Sequence, residues 1–294
     1  MTERLPEKLL IQGVYACALA ALQEAEPNKK AQDTIALYQA WQSLNAEQRI
    51  DVCALTGEHR TSPDVISLPA PGRPEKPMLV DPRTLPKRGL GSVEGRAALL
   101  HSLAHIEFNA INLALDAVYR FRAMPQAYVE DWLRVASDEG QHFLLVVDRL
   151  KTLGLHYGEL DAHDGLWDMA RRTEHDVLVR MALVPRILEA RGLDVAPPMI
   201  RRLKLNNDEE SAAILQRIYT DEITHVAVGN RWFKHVCDQR KLDGCAVFKD
   251  LLKGPNSGYL KSPFNDEARF EAGFTREEMA LIREMENEYR AQLN

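Results

Sequence analysis

Apolar residues recur at intervals of three and four along most of this chain, and that period predicts amphipathic helices rather than strands. Two short helices are expected over residues 7–25 and 29–44, with Pro27-Asn28 between them. Longer helical stretches are expected over residues 92–123, 126–153, 166–191 and 207–240, and a last helix over 275–292. The predicted fold class is therefore all-α, a four-helix bundle with additional helices at both ends.

Start and stop signals fix the ends of these long helices. Ser92 is a candidate N-cap for the first helix, and Gly154 ends the second. The fourth begins with a capping-box pattern that runs from Asn207 to Glu210. These signals predict helix boundaries that hydrophobic periodicity alone leaves open.

The third long helix contains an internal proline. Pro185 is expected to kink it, because proline lacks the backbone N–H and clashes with the preceding turn. Gly192, with Pro197-Pro198 beyond it, predicts the end of this helix.

Residues 56–91 break the helical pattern. Proline and glycine are too frequent there for a helix or a central strand, so we expect an extended segment across the bundle surface, with Glu58-His59 exposed. Three domains are predicted: an N-terminal helical hairpin with this segment at 1–91, the bundle at 92–240, and a C-terminal helical extension, broken at Gly254-Pro255, at 241–294.

A doubled motif stands on the four long helices. Glu107 precedes Glu139-x-x-His142 by 32 residues, and Glu189 precedes Glu222-x-x-His225 by 33. Residues three apart share one face of a helix, so each Glu-x-x-His pair can bind one ion. Two single Glu residues and two Glu-x-x-His motifs, one set on each helix, are the ligands of a ferritin-like dimetal site.

The charge and chemistry of these six side chains favour two metal ions. Four carboxylates that face one core need compensation, because burial of an unpaired charge is very costly, and two divalent cations would supply it. Oxygen ligands with two imidazoles suit Fe(II) or Mn(II) better than a thiolate zinc site. Iron is the expected metal, with manganese or a mixed pair as the alternative.

Four neighbouring residues are candidates for supporting roles. Asp138 and Asp221 each precede a histidine of the motif by four positions and could fix its tautomer. Arg186, one turn before Glu189, could pair with a ligand carboxylate or form a surface salt bridge. Tyr219, one turn before Glu222, is the candidate catalytic residue, with core packing as the alternative.

Spacing alone also permits a different choice of metal ligands on the helix expected over residues 92–123. His101 and His105 share one face with Glu94, and a site built from Glu94 and His101 would replace Glu107. The match between the spacings of 32 and 33 favours Glu107, which leaves both histidines as structural groups with satisfied hydrogen bonds.

Composition bears on the protein's partners and on its cellular compartment. The net charge of −6 gives no general signature of nucleic-acid binding, although short basic clusters occur at Arg171-Arg172 and at Arg201-Arg202 with Lys204. The four cysteines form no C-x-x-C pair and are expected to be reduced thiols in a cytoplasmic protein. Glu3 and Glu7 argue against a signal peptide, and no stretch is long enough for a membrane span.

Four segments, at residues 101–107, 138–143, 188–194 and 221–226, resemble a bacterial ferritin-like dimetal-binding family of unassigned function. Pro71-Gly72-Arg73-Pro74 and Pro263-Phe264-Asn265 resemble its flanking segments. The resemblance covers residues 60–275 and implies two metals held by the six residues of the doubled motif. It also relates the chain to di-iron hydroxylases, including one that acts on a modified tRNA base.

The sequence therefore favours an oxygen-activating di-iron oxidoreductase, a hydroxylase or monooxygenase of unknown substrate. Such an enzyme needs dioxygen and electrons, and the absence of a flavin, nicotinamide or iron–sulfur motif implies a separate reductase. A modified tRNA base remains one candidate substrate. The alternatives are a ferroxidase or peroxide-scavenging protein, in which the metal itself is substrate, and a module with a structural metal.

Overall fold

The computed structural model describes residues 5–54, 56–57, 60–61, 64–86, 88–253, 256 and 259–293. The expected exposure of Glu58-His59 and the expected break at Gly254-Pro255 fall outside these residues. The described chain is all-α, apart from a short antiparallel pairing of Thr56–Gly57 with Arg60–Thr61. It divides into two compact units, Met1–Arg171 and Arg172–Asn294, and each is described by itself. The predicted three-part division of the chain stays a prediction.

The first unit contains the N-terminal helices and the first pair of long helices. Their bounds are α1 Leu5–Gln12, α2 Val14–Gln23, α3 Pro27–Ser43, α4 Ala46–Cys53, α5 Val93–Arg120, α6 Gln126–Thr152 and α7 Gly165–Arg172, the last of which crosses the boundary by one residue. α5 packs along α6, α3 packs on α6, and α2 packs on α5. The core between them is aromatic and aliphatic, with Trp132, Phe108 and Phe143 almost fully buried.

Helix ends in this unit agree closely with the sequence signals. The Ser92 hydroxyl accepts the backbone N–H of Gly95 at 3.1 Å and caps α5 as predicted. One prediction was wrong: the expected helix over 7–25 is broken into α1 and α2. Gly13 separates them with φ +82°, a left-handed conformation that glycine adopts at little cost.

The Pro-rich segment is irregular, as predicted, and lies against the helices of the first unit. The backbone N–H of Gly72 donates to the carbonyl of Leu22 at 2.9 Å, at the end of α2. Further along, the N–H of Val80 donates to the carbonyl of Ala162 at 2.9 Å. Pro82–Thr84 form a single 3₁₀ turn. The segment is therefore tied to the unit by backbone hydrogen bonds rather than by a packed core of its own.

The second unit contains the other pair of long helices and the C-terminal extension. Its elements are α8 Val177–Leu183, a π-helical segment Val184–Glu189, α9 Ala190–Leu205, α10 Glu209–Arg240, α11 Gly244–Leu251, α12 Asp266–Glu271 and α13 Arg276–Leu293. α10 packs against α8, the π-helical segment and α9. The predicted last helix is confirmed as α13. The N-cap of α10 is Asp208, whose side chain accepts from the N–H of Ser211 at 3.1 Å, one residue later than predicted.

The third long helix differs most from its prediction. α7, α8 and the π-helical segment replace the single helix expected over residues 166–191. The expected stop at Gly192 is wrong, because α9 continues through Pro197-Pro198. Pro197 cannot bond the carbonyl four residues earlier, and the Asn265 side-chain amide donates to that carbonyl, Leu193 O, at 3.1 Å. A side chain distant in sequence thus satisfies the acceptor that proline leaves open.

Two smaller predictions can be compared with the structure. None of the four cysteines is in a disulfide; Cys17 and Cys237 are buried, and Cys53 and Cys245 are half-buried. Among the described helices none alone is long and apolar enough to cross a membrane, whereas α1 and α2 pass that test as a pair bent by 118°.

Candidate metal centre

The first half of the doubled motif lies on α5 and α6 of the first unit. Glu107, Glu139 and His142 are all buried, with 3%, 1% and 0% of their surfaces exposed. Each offers one ligand atom, and these atoms lie within 4.8 Å of one another. His142 Nδ1 is 3.4 Å from Glu107 Oε2 and 3.3 Å from Glu139 Oε2. The predicted convergence of these three side chains is therefore present.

The electrostatics of this triad are those of a site short of positive charge. Burial raises the pKa of Glu107 well above its ordinary value, and the neighbouring Glu139 raises it further, while the nearby imidazole of His142 lowers it. Glu107 Oε2 is buried without a hydrogen-bond partner. A cation between the two carboxylates would supply the missing positive charge and a partner for Glu107 Oε2. Two carboxylate oxygens and one imidazole nitrogen are ligands that iron and manganese accept. The residues present fit a metal ion.

Aromatic rings lie next in sequence to two residues of the triad. Phe108 and Phe143, the neighbours in sequence of Glu107 and His142, are buried with their ring centroids 5.9 Å apart. Tyr157 packs on both of them, at 5.9 Å from Phe108 and 5.3 Å from Phe143. These rings form a buried aromatic contact between α5 and α6, next in sequence to two residues of the triad.

The second half of the doubled motif lies in the second unit and is less compact. His225 is fully buried on α10, and its Nδ1 is 3.6 Å from Glu222 Oε1, a side chain that is 13% exposed. Glu189 is half-buried and ends the π-helical segment. Within the described chain, Glu189, Glu222 and His225 do not themselves form a group as tight as the first triad.

Pro185 and Gly229 explain how the π-helical segment packs on α10. Pro185 lies one residue into that segment, and its Cβ would be 2.3 Å from a Cβ at position 229. Only glycine fits such a close approach. Gly229 follows His225 by four residues, on the same face of α10, so this contact sets the distance between the π-helical segment and the helix that bears His225.

Arg186 does not have the partner that the sequence suggested. It is 1% exposed rather than on the surface, and its Nε donates to Asn230 Oδ1 at 2.7 Å. Its ion-pair partner is Glu278 of α13, not a predicted metal ligand. The guanidinium also lies 4.1 Å from the ring centroid of Phe233. Arg186 therefore fastens the π-helical segment to α10 and to the C-terminal extension.

The other candidate supporting residues have partners that leave their roles as predictions. The Tyr219 hydroxyl accepts from the Asn265 side-chain amide at 3.1 Å. Asp138 is half-buried, whereas the Asp221 side chain is 37% exposed and lies 3.8 Å from Arg217 Nε. The expected contacts of the two aspartates with the histidines of the motif are not tested by these distances.

His101 and His105 have partners of their own. His101 Nε2 accepts the backbone N–H of Gly158 at 3.0 Å, and His105 Nε2 is 3.0 Å from the carbonyl of His163. Burial lowers the pKa of each histidine to about 4. Glu94, the carboxylate of the alternative choice of ligands, is exposed. These contacts support the structural interpretation of both histidines and disfavour that choice.

Lys30 is a buried cation that sequence reasoning missed. Its Nζ donates to the carbonyls of Leu22 at 3.0 Å and Gly72 at 2.6 Å and to the side-chain oxygen of Asn112, and it lies 4.8 Å from the ring centroid of Phe108. Burial lowers its pKa to about 7. Lys30 thus joins the Pro-rich segment to α2 and α5. A lysine in an ordinary helical pattern gives no sequence signal of this role.

Fold and site together define an all-helical protein with a buried cluster of carboxylates and histidine that could hold a metal ion. The chain belongs to the family described as "Protein of unknown function (DUF455)", whose model matches residues 23–280. An "Uncharacterized protein" of Haemophilus influenzae (strain ATCC 51907 / DSM 11121 / KW20 / Rd) is 49% identical over 220 residues, 72% of this chain and 76% of that protein. No solved structure matches significantly. All six candidate ligands lie within the range that the family model matches.

Proposed function

We propose that this protein is a non-haem dimetal oxidoreductase that activates dioxygen, as a hydroxylase or monooxygenase of an organic substrate. One observation carries the proposal: Glu107, Glu139 and His142 bring ligand atoms within 4.8 Å of one another in a buried part of the first unit. A buried site of this kind, without thiolates, favours iron or manganese over structural zinc.

The second triad supplies the rest of the proposed centre. Glu189, Glu222 and His225 repeat the residue types and the order of the first set. Under the proposal, these six side chains are the ligands of a pair of ions. Four carboxylates and two neutral imidazoles would then balance two divalent cations, whereas the same carboxylates buried without ions would be strongly unfavourable.

When bound, the metal pair would supply electrons and open coordination positions at which dioxygen can react. The chain's own residues hold and shield that pair. Glu107, Glu139 and His142 would fix one side of it from two helices, in a buried part of the first unit. The burial of these three side chains would therefore keep that side of the pair away from bulk water.

The proposal includes an external electron donor, because the oxidation of an organic substrate by dioxygen consumes electrons that the chain has no motif to supply. A modified tRNA base is one candidate substrate. Arg201, Arg202 and Lys204 are exposed on α9 and could contact a phosphate backbone. Reversal of these three charges should abolish RNA association in a gel-shift assay, and unchanged association would argue against this substrate.

The test of the dimetal proposal is anaerobic loading with Fe(II), followed by metal analysis and exposure to oxygen. We expect about two ions per chain, and oxygen consumption by the loaded protein. Glu139→Gln and His225→Gln should each lower the metal content, because each removes a ligand from a different triad. Full metal content in both variants would show that the ligand assignment is wrong.

Matched control variants separate loss of a ligand from loss of charge. Asp148→Asn changes an exposed carboxylate on α6, and Glu209→Gln changes one on α10; both should keep full metal content. The same oxygen experiment also distinguishes the alternative function. Repeated oxidation of added Fe(II), with release of ferric product and no dependence on an electron donor, would favour a ferroxidase.

A further inference from the structure

A cavity of about 220 Å³ lies in the first unit, away from the ligands of the metal centre. It is lined by α5, by the loop that precedes α5 and by the loop that follows α6. Its polar lining consists of His101, Ser102, Arg88, Glu159 and Asp161. His101 precedes Glu107 by six residues, about 240° around a helix, so the cavity is on a different face of α5 from that ligand.

His101 is the buried part of this lining, with 1% of its surface exposed. Its Nε2 accepts the backbone N–H groups of Gly158 at 3.0 Å and Leu160 at 3.4 Å. Because Nε2 is an acceptor, the ring proton of the neutral imidazole must be on Nδ1. In the part of the chain that is described, this Nδ1–H has no acceptor. The loop thus holds one fixed donor in the cavity wall.

Charged groups of both signs surround the mouth of the cavity. Arg88, Glu159 and Asp161 are exposed, and all three lie close enough to His101 to influence its pKa. Arg88 and Asp161 form no hydrogen bond or ion pair with any described residue. Glu159 Oε2 accepts the N–H of His156 at 2.8 Å, which holds that carboxylate in position. The lining therefore offers one positive charge, two negative charges and a neutral donor.

We propose that this cavity binds a free amino acid, with a preference for a basic one. The carboxylate would accept hydrogen bonds from His101 Nδ1–H and Arg88, and the ammonium group would lie near Asp161 and Glu159. The excess of one negative charge in the lining favours a ligand with one net positive charge. A volume of roughly seven water molecules suits a ligand of this size.

The test uses the full-length protein and saturation-transfer NMR with four probes: L-lysine, L-alanine, butylamine and butyrate. We expect binding of both amino acids, with L-lysine the tighter, and at least about tenfold weaker binding of the probes that carry only one group. Asp161→Asn should weaken L-lysine about tenfold, and Arg88→Gln should weaken L-alanine similarly. Both changes are at exposed positions, so the fold should be retained.

Glu75→Gln is the matched control, because Glu75 is an exposed carboxylate of the same unit that does not line the cavity. It should leave binding unchanged. The proposal is overturned if none of the four probes binds, or if Asp161→Asn and Arg88→Gln bind L-lysine and L-alanine as the unaltered protein does. Equal binding of butyrate and L-lysine would also overturn it, because the acidic lining would then have no effect.

Discussion

The two triads have the same residue types and nearly the same spacing, yet their surroundings differ. Glu107, Glu139 and His142 lie on uninterrupted α-helices and converge within 4.8 Å. Glu189 instead ends a π-helical segment, and Glu222 Oε1 lies 3.6 Å from His225 Nδ1. The first triad thus has the geometry that regular helical spacing dictates, and the second depends on an irregular segment.

This difference shows where the proposed metal centre can be adjusted. π-helical turns are costly and occur often at functional sites, because they turn a side chain away from its α-helical direction. Here the segment is fixed by Pro185 against Gly229 and by the ion pair of Arg186 with Glu278. The first triad lies on regular α-helices and does not depend on contacts of this kind. We therefore expect changes at these fixing contacts to affect the second triad and to spare the first.

The largest effect is expected from Arg186→Met. It removes a buried guanidinium that pairs with Glu278 and packs on aromatic rings, so the free energy of unfolding should fall by about 3 kcal/mol. Denaturant unfolding measures this loss, and metal analysis should show occupancy reduced toward one ion per chain. Arg217→Met, at a side chain that is 53% exposed, is the control and should cost less than about 0.5 kcal/mol.

A smaller effect is expected from Gly229→Ala. The new methyl group would overlap Pro185 and push the π-helical segment from α10, at a cost of about 2 kcal/mol. Gly140→Ala is the counterpart beside Glu139, where a Cβ would be 3.0 Å from the carbonyl of Ala31, and it should cost less than about 1 kcal/mol. Denaturant unfolding compares the two. Equal losses would show that the second triad is no more dependent on close packing than the first.

Sequence reasoning was most reliable where helices are regular. The bounds of α5 and α6, the Ser92 cap and the convergence of Glu107, Glu139 and His142 follow from periodicity, capping chemistry and the three-residue spacing. It was wrong where a distant side chain replaces a backbone donor that proline lacks. Gly192 predicts the end of a helix, but the Asn265 side chain donates to the carbonyl of Leu193 and α9 continues. No local pattern could reveal that hydrogen bond, because its partners are 72 residues apart.

The burial of charged side chains was the other feature that could not be predicted from the sequence. A lysine or arginine in a helical pattern is ordinarily solvated, so neither the three acceptors around Lys30 nor the burial of Arg186 could be anticipated. The kink expected at Pro185 stays a prediction. The structure shows a π-helical segment there, which packs closely against Gly229. Tertiary contacts therefore decided the features that distinguish the second triad from the first.

The smallest expected effect is a loss of stability at acid pH through His101, which lies on α5 with Glu107 of the first triad. Burial lowers the pKa of His101 to about 4, below its ordinary 6.5, so the folded protein binds fewer protons than the unfolded chain between these values. Stability from this group is full above pH 6.5 and is lost as the pH falls toward 4.

Between pH 7 and 5.5 this loss should be about 1 kcal/mol, measured by denaturant unfolding at each pH. His101→Gln should lower stability at pH 7 and remove that part of the pH dependence, whereas His175→Gln, at an exposed position, should leave the pH dependence intact. The same pH dependence in His101→Gln as in the unaltered protein would mean that acid acts elsewhere. In that case, protonation of His101, which links α5 to residues 158–160, would not be the cause of the acid sensitivity.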